Sequence, residues 1–253
     1  PYKEEIIKHL DVIDSKAKSI GSINTIVKKS KILVGFNTDY IGSLSTLKKM
    51  KINKSKKNIL VIGCGGAGKA VIVSVDNYFT QSNILVRNRN LSNVKKFIRN
   101  FSSKKNKIEI LKNYPDISNK NFDLIINCSS LGFDEWIGKK KKIINKIYSS
   151  PLSQNQKFIS TKQKNLKKFF EKNRKNYIFS LGETAHILSK NKKIKIFDII
   201  FKPEETMLLK VSRMMNLNSV NGKHMNLLQA VAGFAVVNKY YKKNYIERWM
   251  SND

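Results

Sequence analysis

The chain has 253 residues, enough for one large domain or two small ones around a substantial core, and its 41% hydrophobic content excludes global disorder. Lys and Arg total 49 against 18 Asp and Glu, a formal charge of +31 whose first reading is nucleic-acid binding. The cations are 43 Lys and only 6 Arg, the bias of an A/T-rich coding sequence rather than of a phosphate-gripping surface built on planar Arg forks, so nucleic acid is not the expected partner. In chain order, residues 3–20 place Ile6, Ile7, Leu10, Ile13, Ala17 and Ile20 at helical spacing and predict a helix. Two extended runs follow at 23–27 and 32–36, joined by the polar turn 28–31. Residues 40–50 read as a helix and 51–57 as a solvated linker. The pattern then changes to strand 58–62, a glycine loop at 63–68 opening a helix to about residue 79, strand 83–86, helix 91–101, and strands 108–111 and 124–127. Strands alternating with helices predict an α/β protein with a parallel sheet covered on both faces.

The alternation breaks off between 139 and 195. That stretch holds 16 Lys and one Arg against Glu171 and Glu183, a net +15 and about half of the whole excess. It reads as a solvated insertion, helical in part around 166–170, with an anion-binding surface as the alternative. Regular structure resumes as strand 196–201, helix 204–215 and an apolar helix 223–241. Cys64 and Cys128 fall in no CxxC or Cys/His spacing, so no metal site and no disulfide framework is expected, and they suit a reducing cytoplasm. The longest apolar stretch, 225–237, is short of a bilayer span, and no signal sequence opens the chain. A start at Pro1 rather than Met reads as the loss of the natural N-terminus.

The run Gly63-Cys64-Gly65-Gly66-Ala67-Gly68 satisfies G-x-G-x-x-G between a predicted strand and a predicted helix. There the glycines permit a tight turn and let the backbone approach a pyrophosphate at the helix N-terminus. The same residues almost satisfy the Walker pattern through Lys69, but residue 70 is Ala, so the hydroxyl that would hold magnesium is missing. A dinucleotide is therefore expected rather than ATP. At the end of the second strand an NAD site would place a carboxylate on the ribose 2′-hydroxyl. This chain reads Val86-Arg87-Asn88-Arg89-Asn90 with no acid, so Asn88 and Arg89 point to the 2′-phosphate of NADP.

Several segments together resemble the shikimate dehydrogenase family. Pro1-Tyr2-Lys3-Glu4 is similar to its Pro-x-Lys segment, Gly21-Ser22-Ile23-Asn24-Thr25 to its Gly-Ala-Val-Asn-Thr, and Gly35-Phe36-Asn37-Thr38-Asp39 to its Gly-x-Asn-Thr-Asp. Gly63 to Ala67 and Asn88-Arg89 match the NADP loop and basic motif, and Asn127 to Gly132 resembles Asn-Ala-Thr-Ser-x-Gly. Phe197-Asp198-Ile199-Ile200-Phe201 resembles Tyr-Asp-x-x-Tyr, and Asn221-Gly222 through Gln229 resembles Asp-Gly-x-x-Met-x-x-x-Gln.

The resemblance implies a Rossmann-type doubly wound parallel sheet plus a truncated α/β substrate domain. The boundaries would be 1–40 for the substrate domain, 41–221 for the NADP domain with its insertion at about 139–195, and 222–253 for a helix returning to the substrate domain. It implies NADP-dependent reduction of 3-dehydroshikimate to shikimate in aromatic amino-acid synthesis, with a quinate-type dehydrogenase and a non-catalytic basic binding protein as alternatives, in a monomer or homodimer. Hydride transfer to a ketone leaves an alkoxide that needs a proton donor. By resemblance Lys3 is that donor and Asp39 its partner, while a bland reading makes Asp39 the N-cap of the helix at Tyr40. Asn24, Phe201 and Gln229 would meet the substrate. Gly63, Cys64, Gly65, Gly66, Ala67, Asn88, Arg89 and Asn90 would hold the cofactor, with Ile199, Gly222 and Met225 at its nicotinamide. His9, His186 and His224 match no catalytic position. The departures are a paired-serine segment that would lie upstream of Pro1, Phe201 for a tyrosine, Tyr40 for a glycine, Lys223-His224 for a Leu-Gly pair, and Asn93 for an arginine that Lys95 could replace.

Overall fold

The computed structural model describes residues 2–101, 103, 105–139, 142–154 and 164–238. The chain divides into two compact units, Pro1–Ile110 with Lys223–Asp253, and Leu111–Gly222. Among the described residues no helix is long and apolar enough to cross a membrane.

The first unit opens with a 3₁₀ turn, Glu5–His9, followed by β1 (Val12–Ile13), α1 (Ser15–Ile20), β2 (Thr25–Lys29), β3 (Ile32–Phe36) and α2 (Asp39–Lys49). The single helix expected over 3–20 is therefore broken. Val12 and Ile13 pair in parallel with Val34 and Gly35, and the Asp14 carboxylate then accepts from the Lys16 and Ala17 N–H groups to start α1 anew. A cap and a strand partner override the apolar period. Gly21, at φ +66°, ends α1 in the left-handed region. β2 and β3 form the expected hairpin, with Thr25 opposite Phe36. Then come β4 (Asn58–Ile62), α3 (Gly66–Tyr78), β5 (Asn83–Arg87), α4 (Leu91–Asn100) and β6 (Lys107–Leu111). β4 and β5 pair in parallel from Asn58–Asn83 to Ile62–Arg87, with α3 as the crossover between them. Ile59, Leu60 and Val61 meet Ile84, Leu85 and Val86 in a continuous buried layer, as a strand covered on both faces requires.

The second unit holds α5 (Pro115–Ser118), β7 (Leu124–Asn127), a hairpin of β8 (Ile137–Lys139) and β9 (Lys142–Ile144), α6 (Leu166–Ser189), β10 (Lys195–Asp198), α7 (Met207–Met214) and β11 (Asn218–Val220). β10 lies between β7 and β11 and pairs in parallel with both. Among the described residues the Lys-rich stretch is thus more regular than a solvated insertion helical in part around 166–170. α6 runs 24 residues and is the connection between parallel neighbours β7 and β10. Its inner side buries Phe169, Ile187 and Leu188 together with Asn173, Ser180 and Thr184, and these polar groups are bonded. Thr184 Oγ1 donates to Ser150 Oγ at 2.6 Å, and Ser180 Oγ to Ser153 Oγ at 3.0 Å. Residues 140, 141 and 155–163 of the expected insertion lie outside the described residues. β10 stops at Asp198, short of the expected 201, because that side chain turns to bond the loop after it. The last helix, α8 (Lys223–Val237), returns to the first unit, and 239–241 of its expected span lie outside the described residues.

Asp198 is fully buried and accepts from Asn127 Nδ2 at 3.0 Å, Thr206 Oγ1 at 2.7 Å and the Ile200 N–H at 3.1 Å. Burial nonetheless outweighs these donors and pushes its carboxyl up to about 7. Between about pH 4 and about pH 7 the native state holds a proton that the unfolded chain has released, so this group's contribution to stability falls as pH rises through that window. Urea melts at pH 5 and pH 8 test this. Wild type loses more stability across the interval than Asp198→Asn, and equal losses in the two proteins would refute the assignment.

Candidate active site

The end of the β2–β3 hairpin gathers the polar residues. The Asn24 N–H donates to the Phe36 carbonyl at 3.0 Å, Asn37 Nδ2 to the Ser22 carbonyl at 2.8 Å, and the Ile23 N–H to the Lys3 carbonyl at 2.7 Å. Lys3 Nζ thereby donates to Asp39 Oδ2 at 2.7 Å, and Asn24 Nδ2 to Asp39 Oδ1 at 2.9 Å. Asp39 is therefore no N-cap. α2 begins at Asp39 with Thr38 before it, and both Asp39 oxygens are engaged across the site. Asn24 Oδ1 accepts from the Thr38 N–H at 2.9 Å, which fixes the amide's orientation. Thr38 Oγ1 lies 3.3 Å from both Asn24 Oδ1 and Gln229 Oε1, two acceptors for its one proton. Gln229 Nε2 reaches Asn226 Oδ1 at 3.3 Å. The side chain of Asp39 is 9% exposed and that of Lys3 41%, so the carboxylate is the more buried partner, and among the described residues the ammonium keeps two N–H bonds to spare. Such a pair presents an oriented proton donor.

The glycine loop packs against the same residues. Gly63 sits at φ +103°, and its N–H donates to the Arg87 carbonyl at 2.8 Å. A Cβ on Gly66 would fall 2.8 Å from Ser22 Oγ and 3.1 Å from Lys3 Cδ, whereas Gly65 borders open space. α3 starts at Gly66 with no side chain capping it, which leaves the pole of the helix for an anion. The Cys64 N–H donates to Asn88 Oδ1 at 3.2 Å, tying the loop to the end of β5. Asn88 Nδ2 holds the Asn90 carbonyl at 2.9 Å, while Asn90 Oδ1 caps α4 through the Ser92 and Asn93 N–H groups. Arg89 is exposed, with no hydrogen bond or ion pair among the described residues. A glycine cradle, an open helix pole and an uncommitted guanidinium fit a phosphorylated dinucleotide. Burial pushes the Cys64 thiol up to about 11, so it is neutral packing rather than a nucleophile.

Lys3, Asn24, Asp39, Gln229, Met225 and the loops at 63–68 and 88–90 all belong to the first unit. Met225 is buried, and a Cβ on Gly42 would lie 2.3 Å from its carbonyl oxygen, so this turn of α8 is pressed against α2. Ile199, Phe201 and Gly222 belong to the second unit. There the Gly222 N–H donates to the Ile200 carbonyl at 2.9 Å, and a Cβ on Gly222 would fall 1.9 Å from the Ile199 oxygen, so only glycine fits. Phe201 is 42% exposed and carries no hydroxyl. Sequence reasoning passed over Thr38, although it stands inside the Asn37-Thr38-Asp39 motif, and over the ion pair of Glu4 with Lys69. No spacing pattern links residues 65 positions apart. Among the described residues no cluster of His, Cys, Asp and Glu could hold a metal.

A βαβ unit with a glycine first turn, and a Lys–Asp pair packed on that turn, define the class: a dinucleotide-binding α/β protein of the Rossmann type. No family model matches the chain. It is 32% identical over 236 residues to the shikimate dehydrogenase (NADP(+)) of Methanosphaera stadtmanae, covering 93% of this chain and 69% of that protein. With the enzyme of the same name from Nitrosopumilus maritimus it shares 29% over 239 residues, 93% of this chain and 70% of the other. The chorismate mutase/shikimate 5-dehydrogenase fusion protein of Clostridium acetobutylicum superposes with a TM-score of 0.71 at 27% identity, over 99% of this chain and 73% of its own. The chain belongs to the shikimate dehydrogenase family.

Proposed function

We propose that this protein interconverts 3-dehydroshikimate and shikimate with NADP(H), a step of aromatic amino-acid synthesis. The observation that carries the reading is the 2.7 Å Lys3–Asp39 pair packed on Gly66 of the dinucleotide loop, which sets a proton donor beside the cofactor cradle. Bound NADPH supplies the hydride. Lys3 delivers the proton to the oxygen that gains it, and its ammonium polarises that oxygen beforehand. Asp39 orients Lys3 and accepts from a substrate hydroxyl, while Asn24 and Gln229 read further hydroxyls. Arg89 and Asn88 hold the 2′-phosphate end, and Ile199, Gly222 and Met225 serve the nicotinamide. Phe201, lacking a hydroxyl, contributes a ring face. In this reading residues 1–40 form the substrate domain, 41–221 the NADP domain, and 222–253 a helix that returns to the substrate domain. The protein works in the cytoplasm, in keeping with two cysteines that form no disulfide.

Purified protein given shikimate and NADP+ is expected to form NADPH. Arg89→Gln should raise KM for NADP+ by about 10-fold or more, the worth of a charge-assisted phosphate contact, and leave KM for NAD+ within about twofold. No NADPH from shikimate would defeat the proposal, and a higher kcat/KM for quinate would reassign the substrate.

A further inference from the structure

Lys69 stands in the first turn of α3, immediately after the glycine loop. Two costs attend it there. Its side chain is only 11% exposed, and a buried ammonium loses hydration. It also sits at the positive end of a helix, where a cation is disfavoured. One partner compensates for both: Glu4 Oε1, 2.7 Å from Lys69 Nζ, on a side chain that is 51% exposed. Glu4 is the residue next to Lys3, and both charges also bear on the Cys64 thiol inside the loop. Lys3 is thus attached on two sides. The Ile23 N–H holds its carbonyl at 2.7 Å, and the ion pair holds the following residue to the helix that starts from the cofactor loop. The stem of Lys3 meanwhile lies against Gly66 in that same helix turn.

We infer that Glu4 and Lys69 form a positioning pair that fixes the Lys3 ammonium relative to the dinucleotide loop. Neither residue touches the reacting atoms. Their work is to keep the proton donor and the cofactor cradle in one register, and the inference rests on the function proposed above. Because a proton donor displaced by an ångström loses much of its effect, removing the pair slows turnover more than it weakens binding.

The test uses Glu4→Gln, Lys69→Met, the double variant and Lys69→Arg. Lys69→Met removes the buried cation rather than stranding it, so one variant folds even if Glu4→Gln does not. Glu4→Gln and Lys69→Met are each expected to lower kcat for shikimate oxidation about 10-fold with KM for shikimate within about threefold. The double variant should be no slower than the worse single, and Lys69→Arg should return to within about threefold of wild type. A second readout needs no turnover: peptide-resolved labelling of Lys3 by trinitrobenzenesulfonate, expected about threefold faster in Glu4→Gln and Lys69→Met than in wild type or Lys69→Arg. Folded variants with unchanged kcat and unchanged Lys3 labelling would overturn the inference, as would losses that simply add in the double variant. If wild type itself fails to oxidise shikimate, the proposed function falls and the labelling comparison alone decides the pair's role.

Discussion

Replacing Lys3 with Ala lowers kcat for shikimate oxidation by about 10³-fold while KM for shikimate stays within about threefold, the mark of a group that acts in the transition state. The argument is one of proton inventory. Among the described residues Lys3 spends one N–H on Asp39 at 2.7 Å and keeps two, whereas Asp39 is buried with Asn24 and Lys3 on its two oxygens. In this cluster Lys3 is the group with protons left to give. Lys3→Met keeps the packing of the stem against Gly66 and so separates chemistry from structure. It should be as slow as the alanine variant, and since both variants leave the Asp39 carboxylate without its cation, any fall in melting temperature is common to the two. Added methylamine should restore part of the rate to Lys3→Ala by entering the vacated space. A kcat near wild type in either variant would assign the proton to another donor.

Gly42→Ala is expected to destabilise the protein by about 2–3 kcal/mol, the range for forcing an extra methyl into a packed contact. At Gly42 a Cβ would lie 2.3 Å from the Met225 carbonyl oxygen and 3.2 Å from the Gln229 nitrogen, both main-chain atoms of α8. A flexible side chain could step aside; a helix backbone cannot without moving the whole element. The displaced α8 carries Gln229 away from Thr38 Oγ1, now 3.3 Å from it, so KM for shikimate should rise along with the loss in urea stability. Gly182→Ala is the matched control. That glycine lies inside α6 with open space around its missing Cβ, so alanine should stabilise there by about 1 kcal/mol. Equal effects at the two positions would show that helix propensity, not the α2–α8 approach, governs Gly42.

How much could be read beforehand varied with the kind of signal. The βαβ unit was legible because Asn58–Ile62 and Asn83–Arg87 are apolar runs bounded by a glycine turn, and both strands and α3 lie close to their expected ends. α6 was nearly invisible. Half of its inner positions are Asn173, Ser180 and Thr184, so the apolar period fades although the burial period persists. Hydrogen bonds of Thr184 and Ser180 to Ser150 and Ser153, distant in the chain, and of Asn173 to the Phe169 carbonyl one turn back, are what make those positions tolerable inside. The reverse error occurred over residues 3–20, where the apolar spacing was helical but Asp14 and the pairing of β1 with β3 divided it.

By itself the sequence determined the cofactor class and the identity of the candidate proton donor. The first resides in the contiguous motif Gly63 to Gly68, where local backbone chemistry carries the information, and the second in the resemblance of the segments around Lys3, Asn24 and Asp39 to those of a known family. The overall charge of +31 proved a poor guide, since part of it lies on a helix that connects two strands of the sheet. Only the tertiary structure decided how the Asp39 carboxylate is used, toward Lys3 and Asn24 rather than as a helix cap. It alone also joined Glu4 to Lys69 and brought Gln229 to Thr38 across 191 positions. The reason is physical: such bonds depend on the close approach of elements far apart in the chain, and no local propensity records which distant partner will arrive.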